Sequence, residues 1–237
     1  CIIPNIAIHM NKTVNEGYAL NKQKDMLPLV GLLNDSLEKD NFLLNQLAIN
    51  LDIVVEDIID FDLFLYEFEK GNLIGANEEF ISTGRLDNLS MAHASLHALI
   101  NAKGKYGVNI VAVFDNEEVG SSTKQGADSN MLLNILERIC ISLKKSREEF
   151  FNAMYSSFMI SADLAHAVHP NMVDKHDPTS RPVMGHGPVI KINANQAYTS
   201  DAYSISVYKS ICKEANVQYQ EFVNRSDERG GSTIGPI

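Results

Sequence analysis

An apolar run, Val108–Phe114, is followed directly by the acidic and glycine-containing stretch Asp115-Asn116-Glu117-Glu118-Val119-Gly120. An apolar run of this length that ends in turn residues predicts a buried strand. In α/β sheets, ligands bind beyond the carboxyl ends of the strands. Carboxylates gathered at such a place repel one another unless a cation compensates them or one of them holds a proton. The sequence therefore favours an α/β fold with metal-assisted chemistry.

A second acidic site follows the same pattern. Asp163 ends the apolar run Phe158–Ala162 and is followed by His166 and His169. Asp87 lies at the predicted start of a helix. Each carboxylate taken alone is also explained by a helix cap or a solvated loop. Their shared position at the ends of elements favours one common site.

Periodicity divides the chain near residue 80. Alternating apolar residues over 59–66 predict a half-buried strand of an antiparallel sheet. From about residue 85, helices and strands alternate, which is typical of helices covering a mostly parallel sheet. The expected strands are 2–10, 59–66, 108–114, 157–162, 188–193 and 217–224. The expected helices are 43–51, preceded by the capping pair Asp35 and Glu38, and 87–102, 128–145, 146–155 and 201–215.

Composition excludes several classes of partner. The formal charge of −10 argues against nucleic acid or an anionic membrane as a general partner. No apolar stretch approaches the roughly 20 residues of a membrane span. The three scattered cysteines, Cys1, Cys140 and Cys212, form neither a disulfide framework nor a metal knuckle. This pattern indicates a reducing, cytoplasmic compartment.

Other catalytic motifs are missing. The segment Gly120–Gly126 is rich in small residues but lacks the order of a P-loop. The chain contains neither the dinucleotide motif G-x-G-x-x-G nor the serine-hydrolase motif G-x-S-x-G. Cys140 lies within a predicted amphipathic helix, where a packing role is favoured over a nucleophile.

Taken in order, the motifs of this chain closely resemble those of the M18 family of metallo-aminopeptidases, of the aspartyl aminopeptidase type. No single motif is decisive, because D-E-E-V-G also occurs in the related M42 aminopeptidases, but the ordered set is specific. The matching segments are Ile6-Ala7-Ile8-His9, Gly84-Arg85-Leu86-Asp87-Asn88-Leu89, Asp115-Asn116-Glu117-Glu118-Val119-Gly120-Ser121, Ser161–Asn171, Gly187–Asn193 and Gly231–Pro236.

The resemblance implies a fold and an assembly. Residues 80–237 would form part of a three-layer α/β catalytic core, with a mostly parallel mixed sheet of the zinc-peptidase type. Residues 1–79 would form part of an inserted, β-rich dimerisation or oligomerisation domain. The family assembles into a dodecamer built from dimers, so we expect self-association.

The resemblance also assigns the metal site. Asp87 would bridge two divalent ions, Glu118 would bind one of them and Asp163 the other. Glu117 would be the general base that takes a proton from the attacking water. The ions would be zinc, although cobalt or manganese suits the same ligands. The family has a cis peptide after the bridging aspartate, so we expect one between Asp87 and Asn88.

Four more residues match substrate contacts of the family. His9 matches a histidine that reaches into a neighbouring subunit, and His166 matches one that donates to the substrate carbonyl. Lys191 matches a contact to an acidic substrate side chain, and Tyr198 matches another pocket residue. The expected reaction is removal of the first residue of a peptide, with Asp or Glu preferred. We expect His169 to be structural, and His93 and His97 to lie on a helix surface or in the core.

Two family elements are missing from this sequence, the H-x-D-S segment and the M-H-S-x-R-E segment that supply the terminal histidine ligands. We therefore expect a piece of a longer catalytic chain, since the inner motifs are intact, in preference to a protein that has lost activity. Two rival interpretations stay open: a related M42-like aminopeptidase, and a catalytically dead assembly or cargo-binding protein on the same fold.

Overall fold

The structure is a computed structural model that describes residues 1–32, 41–104 and 106–227. It divides into two compact units, Cys1–Glu67 and Phe68–Ile237. The expected domain boundary lay near residue 80, and the oligomerisation role of residues 1–79 stays a prediction. The capping pair Asp35 and Glu38 and the motif Gly231–Pro236 lie outside the described residues.

The first unit contains few regular elements. They are a 3-10 turn at Val14–Glu16, helix α1 at Lys22–Asp25, helix α2 at Phe42–Leu51 and a 3-10 turn at Val55–Asp57. Helix α2 confirms the predicted helix. The strands predicted over 2–10 and 59–66 are wrong: Ile2 forms an isolated bridge with Leu29, and no described residue pairs with 59–66. Alternation shows which side chains share a face, but a strand also needs a neighbouring backbone.

The second unit carries the remaining elements. Strands β1 (Asn72–Ile74) and β2 (Phe80–Ser82) pair antiparallel. Helices α3 (Leu86–Asn101), α4 (Met131–Ser142) and α5 (Arg147–Tyr155) follow, and then a 3-10 turn at Val173–Lys175. Strand β3 (Val189–Ile192), helix α6 (Ala202–Glu214) and strand β4 (Gln220–Val223) complete the described chain. Among the described residues, no helix is both long and apolar enough to cross a bilayer.

Local capping sequences set the starts of two helices. Ser146 and Glu149 form the predicted capping box of α5: the Ser146 hydroxyl accepts from the Glu149 N–H, and the Glu149 carboxylate accepts from the Ser146 N–H. Asp201 caps α6 by accepting from the Ser204 N–H. Both helices therefore begin where short-range chemistry satisfies backbone N–H groups that have no partner within the helix.

The β3–α6–β4 segment is a parallel βαβ unit. The two strands pair in register from Val189 with Gln220 to Ile192 with Val223. Ile190, Cys212 and Phe222 are buried, so each of the three elements contributes an apolar side chain to the packing. The unit confirms the predicted α/β class and the elements expected over 188–193, 201–215 and 217–224.

Side chains cover the outer edge of β4. The Ser180 hydroxyl donates to the Glu221 carbonyl at 2.9 Å and accepts from the Val223 N–H at 3.1 Å. The Gln220 side chain accepts from the Val183 N–H at 2.8 Å and donates to the Val183 carbonyl at 3.0 Å. The loop before β3 is thereby bonded along the free edge of β4.

The strands predicted over 108–114 and 157–162 are wrong as paired strands. Neither segment forms a ladder with a described residue. Their apolar side chains stay partly open to solvent, with Val113 52% and Ile160 55% exposed. An apolar run indicates that a segment favours burial. It does not specify which other strand or helix the segment packs against.

Gly187 permits the close approach of the two parallel strands. It has a φ of +90°, and a Cβ built on it would lie 1.9 Å from the Gln218 carbonyl oxygen. We expect Gly187→Ala to lower the free energy of unfolding by about 2–4 kcal/mol, because the β3 and β4 backbones would have to separate. Urea denaturation measures the change.

Gly185→Ala is the matched control. Gly185 has a similar φ of +76°, but nothing lies within 4 Å of its added Cβ. Its cost should be about 1 kcal/mol, from the backbone conformation alone. Equal losses for the two variants would contradict the steric explanation.

Candidate active site

Irregular backbone at the start of α3 positions Asp87. Arg85 is left-handed with a φ of 60°, and Asp87 has non-helical angles of −82° and 116°. The peptide bond between Asp87 and Asn88 is cis, which confirms the prediction. The predicted helix over 87–102 is present as α3, so Asp87 stands in its first turn.

Asp87 and Glu117 lie within electrostatic reach of each other, and each also lies within reach of Glu118 and Asp163. Partial burial, the charge of Asp163, a hydrogen bond with Asp163 and the charge of Glu118 all raise the pKa of Asp87. Partial burial, followed by the charges of Glu118, Asp163 and Asp87, raises the pKa of Glu117. Residues from three distant parts of the sequence therefore share one strongly negative place.

The turn that contains Glu117 and Glu118 shapes this cluster. Asn116 adopts a left-handed φ of 61°, and its carbonyl accepts from the Gly120 N–H at 2.7 Å. A Cβ on Gly126 would lie 2.1 Å from the Ser121 carbonyl oxygen, so the loop folds tightly back on itself. Adjacent side chains of an extended segment point to opposite sides. The turn provides the change of direction that Glu117 and Glu118 need to take different roles.

Lys191 lies in the same cluster. Its ammonium forms an ion pair with the Asp163 carboxylate, and the two side chains are 25% and 23% exposed. Its charge opposes the rise in the pKa of both Asp87 and Glu117. The Lys191 ammonium also lies 5.9 Å from the ring centroid of Tyr198.

A cavity of about 380 Å³ borders the cluster. Asp163, Lys191 and Tyr198 line it together with apolar side chains of the 158–165 segment, β3 and α6. The Tyr198 hydroxyl accepts from the Asn224 amide at 3.4 Å, which ties this wall of the cavity to the residue after β4. An apolar cavity with a few convergent polar groups is the usual form of a small-ligand site.

The two predicted substrate histidines differ in position. His166 is exposed. Its ring is nearly perpendicular to the Phe222 ring, at a centroid distance of 6.2 Å. His9 is exposed in a turn of the Cys1–Glu67 unit, where the Met10 N–H donates to the Ala7 carbonyl at 2.9 Å. The substrate roles of both histidines stay predictions.

The remaining histidines make local contacts. The His169 N–H donates to His176 Nε2 at 3.1 Å, and His169 Nδ1 accepts from the Asn171 N–H at 3.2 Å. These bonds give His169 a structural place in its loop. His93 and His97 lie on the exposed surface of α3, with ring centroids 4.6 Å apart.

The donor set matches a divalent cation in its chemistry. Asp87, Glu118 and Asp163 offer carboxylate oxygens, and burial together with the charges of Asp163 and Glu118 raises the pKa of Asp87. Within the described ranges, no three His, Cys, Asp or Glu side chains are spaced to hold a metal ion. The carboxylate chemistry thus suits a divalent cation, whereas the described side chains do not form a metal site by themselves, and Lys191 supplies positive charge at Asp163.

Sequence reasoning missed two supporting residues and one contact. Asn116 organises the turn around the glutamates, and the Ser200 hydroxyl donates to the Lys191 carbonyl. Lys191 was expected to contact substrate, and its pairing with Asp163 was not foreseen. A left-handed Asn before a glycine-containing turn is a signal that could have been recognised. The lysine contact spans 28 residues and leaves no local signal.

All of residues 1–237 match the model of the aminopeptidase I zinc metalloproteases. The chain belongs to this family, the M18 peptidases, as the ordered motifs indicated.

Two curated relatives show how far the likeness extends. A probable M18 family aminopeptidase 2 of Clostridium novyi is 60% identical over 100% of this chain and 54% of its own length. Aspartyl aminopeptidase 4 of Saccharomyces cerevisiae is 39% identical over 99% of this chain and 55% of its own length. The chain thus spans about half the length of the curated relatives it matches.

Solved structures support the fold. A chain in the cryo-EM structure of an Ape4 and Nbr1 complex has a TM-score of 0.84 and 34% identity, covering 98% of this chain and 48% of that one. A chain of the S. cerevisiae mApe1 dodecamer has a TM-score of 0.67 and 25% identity, covering 82% of this chain and 44% of that one.

The carboxylate repulsion can be tested in the metal-free protein. A carboxyl group whose pKa is raised on folding destabilises the fold as the pH rises through that pKa, because the folded state binds its proton more tightly than the unfolded chain does. We expect metal-free Glu117→Gln to melt about 1–3 °C higher than the wild type at pH 7. The gain should vanish near pH 3.5, below the usual carboxyl pKa.

Thermal melting at the two pH values measures this effect. Glu69→Gln, which removes the same charge from an exposed residue outside the cluster, should show no such pH-dependent gain. A pH-independent gain at Glu117 would show that repulsion is not its cause.

Proposed function

We propose that this chain is part of a metal-dependent aminopeptidase that removes the first residue of a peptide, with Asp or Glu preferred. The observation that carries the proposal is that Asp87 hydrogen-bonds Asp163 and lies within electrostatic reach of Glu118, while Glu117 lies within reach of all three. Membership of the zinc metalloprotease family M18 supports it.

In this proposal two divalent ions would be held by Asp87, which would be a ligand of both, by Glu118, which would hold one, and by Asp163, which would hold the other. The preferred ion is zinc, and cobalt or manganese is accepted by the same oxygen ligands. When bound, the ions polarise the scissile carbonyl and lower the pKa of the attacking water. Because the chain covers about half of each relative, we propose that the remaining ligands come from outside it.

Glu117 acts as the general base. It takes a proton from the attacking water and delivers it to the nitrogen of the departing peptide. Its raised pKa suits this exchange, since a base is most effective when its pKa approaches the working pH. His166 donates a hydrogen bond to the substrate carbonyl oxygen as negative charge develops there.

The cavity holds the first side chain of the substrate. Lys191 contacts an acidic side chain, and Tyr198 forms part of the wall beside it. His9 contacts substrate bound to a neighbouring subunit. The name of the yeast relative, aspartyl aminopeptidase 4, supports the acidic preference.

We further propose that the protein self-associates into a dodecamer built from dimers through residues 1–79, and that it acts in the cytoplasm. The mApe1 dodecamer among the similar structures supports the assembly. The scattered cysteines support the compartment.

Glu117→Gln tests the assigned base. The amide cannot accept the water proton, so turnover of an aspartyl substrate should fall by about 10²- to 10⁴-fold. The substitution leaves the three proposed ligands in place, so zinc content should stay at the wild-type level. Steady-state kinetics and elemental analysis of the full-length protein give both values, and Glu69→Gln is the matched control.

The outcomes separate the rival functions. Undiminished turnover would reject Glu117 as the base, and turnover that survives removal of metal would reject the mechanism. A full-length protein that oligomerises without metal or turnover would support the non-catalytic assembly protein instead.

Lys191→Ala tests the acidic preference. We expect kcat/KM for an aspartyl anilide to fall by about 10- to 100-fold, because the ion pair to the substrate is lost. The value for a leucyl anilide should fall far less. The ratio of the two substrates is the measurement, and an unchanged ratio would remove Lys191 from substrate selection.

A further inference from the structure

We propose that Lys191 is the built-in counter-cation of the carboxylate cluster: its ammonium holds Asp163 while no divalent ion is bound, and moves to the cavity when an ion takes Asp163. The inference rests on the proposed function, since it assumes that Asp163 is a metal ligand. It adds a second role for Lys191, toward the metal, before any substrate is present.

The ion pair lies in a protected place. Lys191 and Asp163 are 25% and 23% exposed, whereas the pair of Lys209 with Glu221 is 35% and 46% exposed. Less water around a pair means less screening of its attraction. The Lys191–Asp163 contact is therefore a stronger competitor for a cation site than an ordinary surface pair.

The cluster needs such a cation. Asp163 also interacts with Asp87 by charge and by a hydrogen bond, and it lies close enough to repel Glu117. Carboxylates this close repel one another unless a cation or a bound proton compensates them. One ammonium placed at Asp163 relieves part of this repulsion in the metal-free protein.

Lys191 is built to exchange partners. Its backbone is fixed, because it pairs with Phe222 in the parallel sheet and the Ser200 hydroxyl donates to its carbonyl. Its four-carbon side chain is flexible and carries a point charge without a preferred geometry. The ammonium can therefore turn without disturbing the strand.

The cavity provides the second position. Lys191 and Tyr198 both line it, and the ammonium already lies 5.9 Å from the tyrosine ring centroid. Once a divalent ion holds Asp163, this ammonium is open to the carboxylate of a bound ligand. Metal binding and recognition of an acidic ligand are thereby linked, and such coupling acts equally in both directions.

Metal affinity and metal-free stability test the exchange. Zinc binding to the full-length protein is measured by competition with a chromophoric chelator, for the wild type, Lys191→Met and the control Lys209→Met. We expect Lys191→Met to bind zinc about tenfold more tightly, because the competing ammonium is gone. Its metal-free form should melt at a lower temperature than the wild type, and its zinc-loaded form should not. Lys209→Met should leave zinc affinity unchanged.

Calorimetry with glutarate and butyrate tests the link to the cavity. The second carboxylate of glutarate should strengthen binding by about tenfold in zinc-loaded wild type. This advantage over butyrate should disappear in the metal-free protein and in Lys191→Met. Butyrate controls for a carboxylate that binds the metal directly.

The contrary results are distinct. If the wild type binds zinc and Lys191→Met has unchanged affinity, the inference fails and the proposed function stands. Tighter zinc binding without a loss of metal-free stability would show simple repulsion of the metal, and would also overturn the exchange. A wild type that binds no zinc overturns the proposed function and the inference with it.

Discussion

Repulsion among like charges is the constraint on which this site depends. Asp87, Glu118 and Asp163 reach one place from the start of a helix, a tight turn and the end of an extended segment. Partial burial and then the charges of Asp163 and Glu118 raise the pKa of Asp87. A fold tolerates such an arrangement when positive charge balances it or when one of the carboxyl groups keeps its proton. Within this chain Lys191 supplies positive charge at Asp163, and the family to which the chain belongs consists of zinc metalloproteases.

The parallel pairing of β3 with β4 fixes the backbone position of Lys191, which carries the positive charge. Gly187 lets the strands approach, and buried Ile190 and Phe222 hold their faces in place. Lys191 follows Ile190 on the same strand, so its backbone position is fixed by the packing of its neighbour. The side chain remains adjustable on a rigid base. A cation that has to change partners is best carried in this way.

The sequence predicted best the features that are encoded locally. Ser146 and Glu149 cap α5 as expected, because a capping box needs residues only three positions apart. The cis bond after Asp87 followed from the family motif and is present. The α/β class followed from alternating patterns and holds for β3, α6 and β4.

The failures involve partners far away in the sequence. The apolar run Val108–Phe114 shows the composition of a strand, but a ladder requires a second backbone that local residues do not specify. Lys191 was expected to contact substrate because it interrupts an apolar strand and matches the family. Its pairing with Asp163 depends on how two distant segments pack. The convergence of the carboxylates was expected from the family, whereas the lysine that balances them required coordinates.

Side-chain hydrogen bonds cover the outer edge of β4 and make the two edges of the small parallel sheet unequal. The Ser180 hydroxyl bonds backbone groups of Glu221 and Val223, and the Gln220 side chain bonds the Val183 backbone. Few backbone donors or acceptors on this edge are therefore open to another strand. The other strand of the pair, β3, contributes Val189, Ile190 and Lys191 to the lining of the cavity. With the edge of β4 covered by side chains, β3 is the strand of this sheet that faces a cavity large enough for a ligand.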